Sequence, residues 1–231
     1  MVYTAAVSST ATAASPELSV KAALAWAWGR FTRARWLFIG ITLLLVAVNA
    51  VFAALAKSGI AAAGAQVGQL VGTVLEWWLY LGFVGMLLAA HDGKPLALSQ
   101  LFAQRGVTFV SYIAGTLLYG LIVLGGFLLL VVPGIVWAIK FYYYPYAIVD
   151  EGRGPVAALR RSSELTSGQK LSLFWFFFAL ALINVAASFL LGVGLLVSVP
   201  VTLLAVVWSY RLLQARLTIA AAPESAPAPQ N

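Results

Sequence analysis

Six hydrophobic segments, at 36–56, 69–89, 110–131, 135–149, 173–191 and 195–213, alternate with short basic stretches along this chain. Threaded through a membrane in order, they put twelve of the fourteen Lys and Arg residues on one side. Lys21, Arg30, Arg33 and Arg35 precede the first segment, and Lys94 and Arg105 lie between the second and third. Arg153, Arg160, Arg161 and Lys170 lie between the fourth and fifth, and Arg211 and Arg216 close the last. By the positive-inside rule both termini are then cytoplasmic. Only Lys57 falls in an outer loop and only Lys140 falls inside a segment otherwise free of charge.

With 62% hydrophobic and 9% charged residues and a mean hydropathy of +0.96, the chain is far more apolar than a soluble domain, in which about 25% of residues are charged. Each span consumes about 20 residues of a hydrocarbon core about 30 Å thick, which leaves no room for a separate catalytic domain. The expected fold is all-α: a polytopic membrane helix bundle of six transmembrane helices with three interfacial helices on the cytoplasmic side. Residues 15–217 form the one membrane domain. The stretch 1–14 has no basic or apolar run resembling a cleavable signal, and 218–231 is rich in Ala and Pro, so both ends are expected to be disordered. The net charge of +7 flanks hydrophobic helices and therefore suits anionic lipid headgroups, at about 1 kcal/mol per basic residue, rather than nucleic acid. A homo-oligomer or other membrane proteins are further partners to consider. No cysteine is present, which excludes disulfides and thiolate chemistry.

A short stretch with helical signals precedes each pair of spans, which suggests a unit used three times. Ser15 and Pro16 open the first, with Leu18, Ala22, Ala25, Trp26 and Gly29 on one face; Pro95 opens the second, with Leu98, Leu101 and Phe102 together. Pro155 opens the third, with Val156, Ala158 and Leu159 opposite Arg160, Arg161 and Glu164. Such amphipathic pieces are expected to lie in the headgroup plane, apolar side down.

Two charges fall within the segments away from their ends. Counted from the outer ends of their spans, Glu76 and Lys140 sit at comparable depth, roughly 10 Å into the hydrocarbon, where an unpaired charge costs several kcal/mol. An intramembrane ion pair between them is expected, either as a lock between two helices or as a relay for a transported ion. Gly64, Gly68, Gly72, Glu76 and Tyr80 share one face, and small residues at that spacing let a second helix approach. Asn49 and Asn184 are the other polar candidates, read as interhelical hydrogen bonds.

The most distinctive stretch is PGIVWAIKFYYYPYAIVDEGRGPVAALRRSSELTSG at 133–168. A Pro-Gly opens an aromatic-rich span that contains a proline, then come an acid pair, glycines, Ala-Leu-Arg-Arg-Ser and Leu-Thr-x-Gly. This resembles the glycerophosphoryl diester phosphodiesterase membrane-domain family and inner-membrane proteins of the YciC type, over about 80 residues of the C-terminal half. The resemblance implies a six-span cytoplasmic-membrane protein with an envelope or lipid-linked role, and it carries over no catalytic residue. Read from the residues alone, Asp150, Glu151 and Glu164 can clamp the loop through Arg160 and Arg161, and Arg35, Arg105, Arg160 and Arg161 can meet lipid phosphates.

Catalytic constellations are missing. His91 is the single histidine, so HExxH is impossible, and no GxxxxGK[ST] loop occurs. No metal site and no cofactor are implied. The reading is of a non-catalytic integral protein of the bacterial inner membrane, engaged in envelope homeostasis through lipid headgroups. The alternative is a small transporter or proton-coupled carrier built on Glu76 and Lys140.

Overall fold

Ser19, in extended conformation, accepts a hydrogen bond from the Ala22 backbone at 3.4 Å and starts the first helix of the computed structural model. The structure describes residues 18–57, 62–190 and 192–221. The expected start at Ser15 and Pro16 lies outside them. Helix α1 (Val20–Arg33) buries Ala23, Ala27 and Phe31, a stripe one residue round from the expected one, against the last helix. Helices α2 (Arg35–Lys57) and α3 (Ala62–His91) form a hairpin, as do α4 (Gly106–Leu129) and α5 (Val131–Phe141). Short helices α6 (Tyr144–Glu151) and α7 (Pro155–Leu165) follow, then α8 (Lys170–Ser188) and α9 (Leu195–Ala221). The described residues contain no strand, and the protein is an all-α membrane bundle.

Among the described residues, five helices rather than six are single pieces long and apolar enough to cross a membrane: Arg35–Leu55, Val67–His91, Gly106–Leu129, Lys170–Ser188 and Leu195–Ala220. The expected fourth span is divided into α5 and α6 at Tyr142 and Tyr143. Pro145, in the first turn of α6, has no N–H to give to the Phe141 carbonyl, which removes a helical hydrogen bond across the break. At the other end of α5, Leu130 is extended and turns the chain out of α4. There Gly126 and Gly134 let the two backbones meet: a Cβ on Gly126 would lie 2.9 Å from the Gly134 Cα.

The second interfacial helix does not form. In its place is one 3-10 turn, Leu98–Leu101, pressed so closely on α3 that a Cβ on Gly82 would strike the Leu101 backbone carbonyl. Leu101 is buried there, and Gln100 folds back on the Pro95 carbonyl at 2.9 Å. Helix α7 does begin at Pro155, but Ala158, Leu159 and Leu165 are buried in the protein's own core rather than facing lipid. It packs on α4, α5, α6 and α9. Residues 218–221, expected to open the tail, are the last turn of α9, and the rest of the expected tail lies outside the described residues. Helix α9 is the axis of the bundle, touching α1, α2, α3, α7 and α8, with Leu204, Ala205, Val207, Ser209 and Tyr210 fully buried. Leu121, Leu128, Leu171 and Phe189 point outward, as the lipid-facing side of a membrane bundle requires.

Candidate functional site at the charged end of the bundle

The break in the fourth segment frees backbone groups in the interior, where each unpaired group costs several kcal/mol. Helix α7 supplies the replacements. Ser162, fully buried, accepts from the Tyr143 N–H at 3.0 Å and donates to the Lys140 carbonyl at 2.9 Å. The Thr166 hydroxyl lies 3.1 Å from the same carbonyl. The Ser and Thr of the RRSSELT stretch therefore complete the broken span instead of facing headgroups. Tyr143 adds a second tie, its hydroxyl 2.7 Å from the Ser209 hydroxyl on α9.

Where α6 ends, α9 brings Arg211 into a carboxylate cluster. The guanidinium grips Asp150 with two hydrogen bonds, 2.6 and 2.8 Å, and reaches Asp92 after α3 at 2.9 Å. A planar fork matches a carboxylate in this way, where a lysine would offer only a point charge. Gln214, one turn on, accepts from Arg211 at 2.9 Å and donates to Asp150 and Glu151 at 3.1 and 3.0 Å. The Tyr210 hydroxyl lies 3.3 Å from both acids. Glu151 also takes Arg153 and, at 3.1 Å, Arg161, which reaches on to Glu164 at 3.5 Å. Lys94 meets Asp92 at 3.2 Å. Four acids thus face four bases and the cluster is neutral in sum.

Partial burial pushes the Asp92 and Glu151 carboxyls up. The hydrogen bond from Lys94 and the Arg211 charge at Asp92, and Arg153, Arg161 and Gln214 at Glu151, outweigh it and hold both below the usual carboxylate range. Carboxylates so tied are poor general bases. Among the described residues no group of three or more His, Asp or Glu is placed to hold a metal ion.

The predicted site residues divide. Asp150, Glu151 and Glu164 do clamp the end of the bundle, but the partner of Asp150 is Arg211 rather than Arg160 or Arg161. Arg161 belongs to the clamp, its side chain 20% exposed. Arg35, Arg105 and Arg160 are exposed, and among the described residues no carboxylate pairs with them.

The Glu76–Lys140 ion pair does not form. Glu76 accepts from Asn49 of α2 at 3.0 Å, and the Lys140 ammonium lies 5.0 Å from the Phe141 ring centroid. Arg211 holds Asp92 and Asp150 at one level; sixteen residues of helix lift Glu76 about 24 Å above it, and ten lift Lys140 at most about 15 Å. Counting from the outer ends had hidden this offset. Asn184 does bridge helices, donating to Thr202 at 3.1 Å and accepting from Ser198 at 2.8 Å.

A family model described as a domain of unknown function, DUF7847, matches residues 101–230. The chain belongs to this family. The DUF7847 stretch contains the broken span, α7 and α9, and so every member of the clamp except Asp92 and Lys94. Among its relatives is the uncharacterized protein Mb2590 of Mycobacterium bovis, 26% identical over 231 residues, covering 86% of this chain and 70% of the relative. The uncharacterized proteins MT2637 and Rv2560 of Mycobacterium tuberculosis match with the same identity and coverage. No solved structure matches the chain.

Proposed function

We propose that this protein is a non-catalytic integral protein of the bacterial cytoplasmic membrane, with both termini inside. Its charged face engages anionic lipid headgroups in the service of envelope homeostasis. The observation that carries the reading is the division of charge at that face: among the described residues its acids are spent in the neutral clamp, while Arg35, Arg105 and Arg160 stay exposed without a carboxylate. Arg35 stands 5.6 Å from the ring centroid of Trp36, itself 75% exposed, an aromatic-cationic pairing suited to the membrane–water interface. The Ser162 and Arg211 ties support the reading of this face as a fixed platform rather than a moving gate.

Reconstitution in nanodiscs tests this. Thermal stability is expected to rise when phosphatidylglycerol replaces part of the phosphatidylcholine, to lose the gain in high salt, and to lose it in an Arg35→Gln, Arg105→Gln, Arg160→Gln triple variant. Equal stability in both lipids, or a gain that survives in the triple variant, would overturn the reading. The carrier alternative has lost the pair it was built on, because Glu76 and Lys140 lie at different levels.

A further inference from the structure

Away from the charged end, a cavity of about 500 Å³ lies between α4 and α5 on one side and α8 and α9 on the other. That is the size of site that takes a small organic molecule, and its lining is mostly apolar, with Phe177, Leu180, Leu203 and Val206 prominent. Its polar groups are few and nearly all committed. Asn184 is satisfied by the Leu180 carbonyl, Thr202 and Ser198, and the Tyr119 hydroxyl donates to the Ala138 carbonyl at 3.3 Å. Tyr142 is the exception: it lines the cavity, and no described residue hydrogen-bonds its hydroxyl.

Its ring is not free to turn away. Tyr142 sits at the α5–α6 break, whose backbone Ser162 fixes, and packs on Phe177 with centroids 4.3 Å apart. Eight residues separate it from Asp150, so it lies up to about 12 Å above the Arg211 clamp, inside a hydrocarbon core about 30 Å thick. Only a solute of the bilayer reaches that depth. No charged side chain lines the cavity, so it does not suit a phosphate or an ion. One fixed phenol donor among apolar and aromatic walls suits a single acceptor oxygen on an apolar body.

We infer that this cavity is a binding site for a neutral, lipid-soluble molecule bearing a carbonyl group, whose oxygen accepts a hydrogen bond from Tyr142. The site is independent of the headgroup-binding face. Benzophenone is a probe of this chemistry, since it dissolves in the bilayer, carries one carbonyl and couples to neighbouring C–H bonds on irradiation. With the full chain in nanodiscs, saturable labelling is expected on peptides from α8 and α9 that carry Phe177, Leu180 and Leu203. Tyr142→Phe keeps the ring and removes the donor, and is expected to raise the half-saturating probe fraction roughly fivefold, the equivalent of one hydrogen bond. Ala181→Phe fills the cavity and is expected to abolish saturable labelling while thermal stability shows that the variant is folded; Ala138→Leu serves if Ala181→Phe does not fold. Labelling spread over the outward residues Leu121, Leu128 and Phe189, or saturation unchanged in Tyr142→Phe and in a folded filling variant, would overturn the inference.

Discussion

Replacing Arg211 by Met keeps an unbranched apolar stem and removes every hydrogen bond the guanidinium makes. Three of these go to carboxylates, two on Asp150 and one on Asp92, and a charge-assisted bond is worth about 1.5–3 kcal/mol. They do not add fully, because they share one guanidinium, and the side chain is 20% exposed, so water screens part of the interaction. The loss should come to about 3 kcal/mol, most of it from two carboxylates left facing each other. At about 2–4 °C per kcal/mol for a chain of this size, Tm in detergent should fall by roughly 6–12 °C. Arg211→Lys should recover less than half, since an ammonium cannot hold Asp150 with a fork and Asp92 at once. Adding Asp150→Asn to Arg211→Met should restore part of the loss by removing one stranded charge. A Tm of Arg211→Met within about 2 °C of the parent would refute the reasoning and leave apolar packing of α9 as what holds that end together.

Ser162→Ala leaves the Tyr143 N–H without an acceptor while Thr166 still serves the Lys140 carbonyl; a loss of about 1–3 kcal/mol in denaturation is expected, and none would show that the break needs no tie. Glu76→Gln keeps the oxygen that accepts from Asn49 and removes a charge from the bilayer, so stability should hold or rise; a large fall would revive an ionic role. Asp92 and Glu151 are held below the usual carboxylate range, so their contribution is complete above a pH of about 4 and is lost as pH falls through the depressed folded values. A Tm series from neutral pH down to about 3 should therefore fall steeply at its acid end, and less so in Arg211→Met; a flat series would contradict the clamp.

Local signals in the sequence were read well. Pro155 starts α7 as expected, and Gly152 and Gly168, the glycines on either side of that helix, adopt φ values of 63° and 73°. Five of the six hydrophobic segments coincide with long apolar helices, because hydropathy over twenty residues averages out small errors. What escaped were relations across the chain. Asp92 and Arg211 stand 119 positions apart, and only the packing of α3 on α9 makes them partners. Ser162 and Thr166 looked like surface polar residues because a missing backbone hydrogen bond nineteen or more positions upstream leaves no mark on their own neighbourhood. The second interfacial stretch had the same pattern as the third. It fails to wind because Leu101 is drawn onto Gly82, a contact that no periodicity encodes.

The position of Arg211 on α9 also sets a clock for assembly. Chains are synthesised at about 5–20 residues per second, so the 119 residues between Asp92 and Arg211 take roughly 6–24 s to appear. Through that interval Asp92, and later Asp150, stand without the arginine that neutralises them, and α1 lacks the helix it packs against. Until then the contacts that tie the first helix and both acids to α9 are missing. Arrival of α9 then closes the ring in one event, drawing the first helix and two waiting acids onto the last.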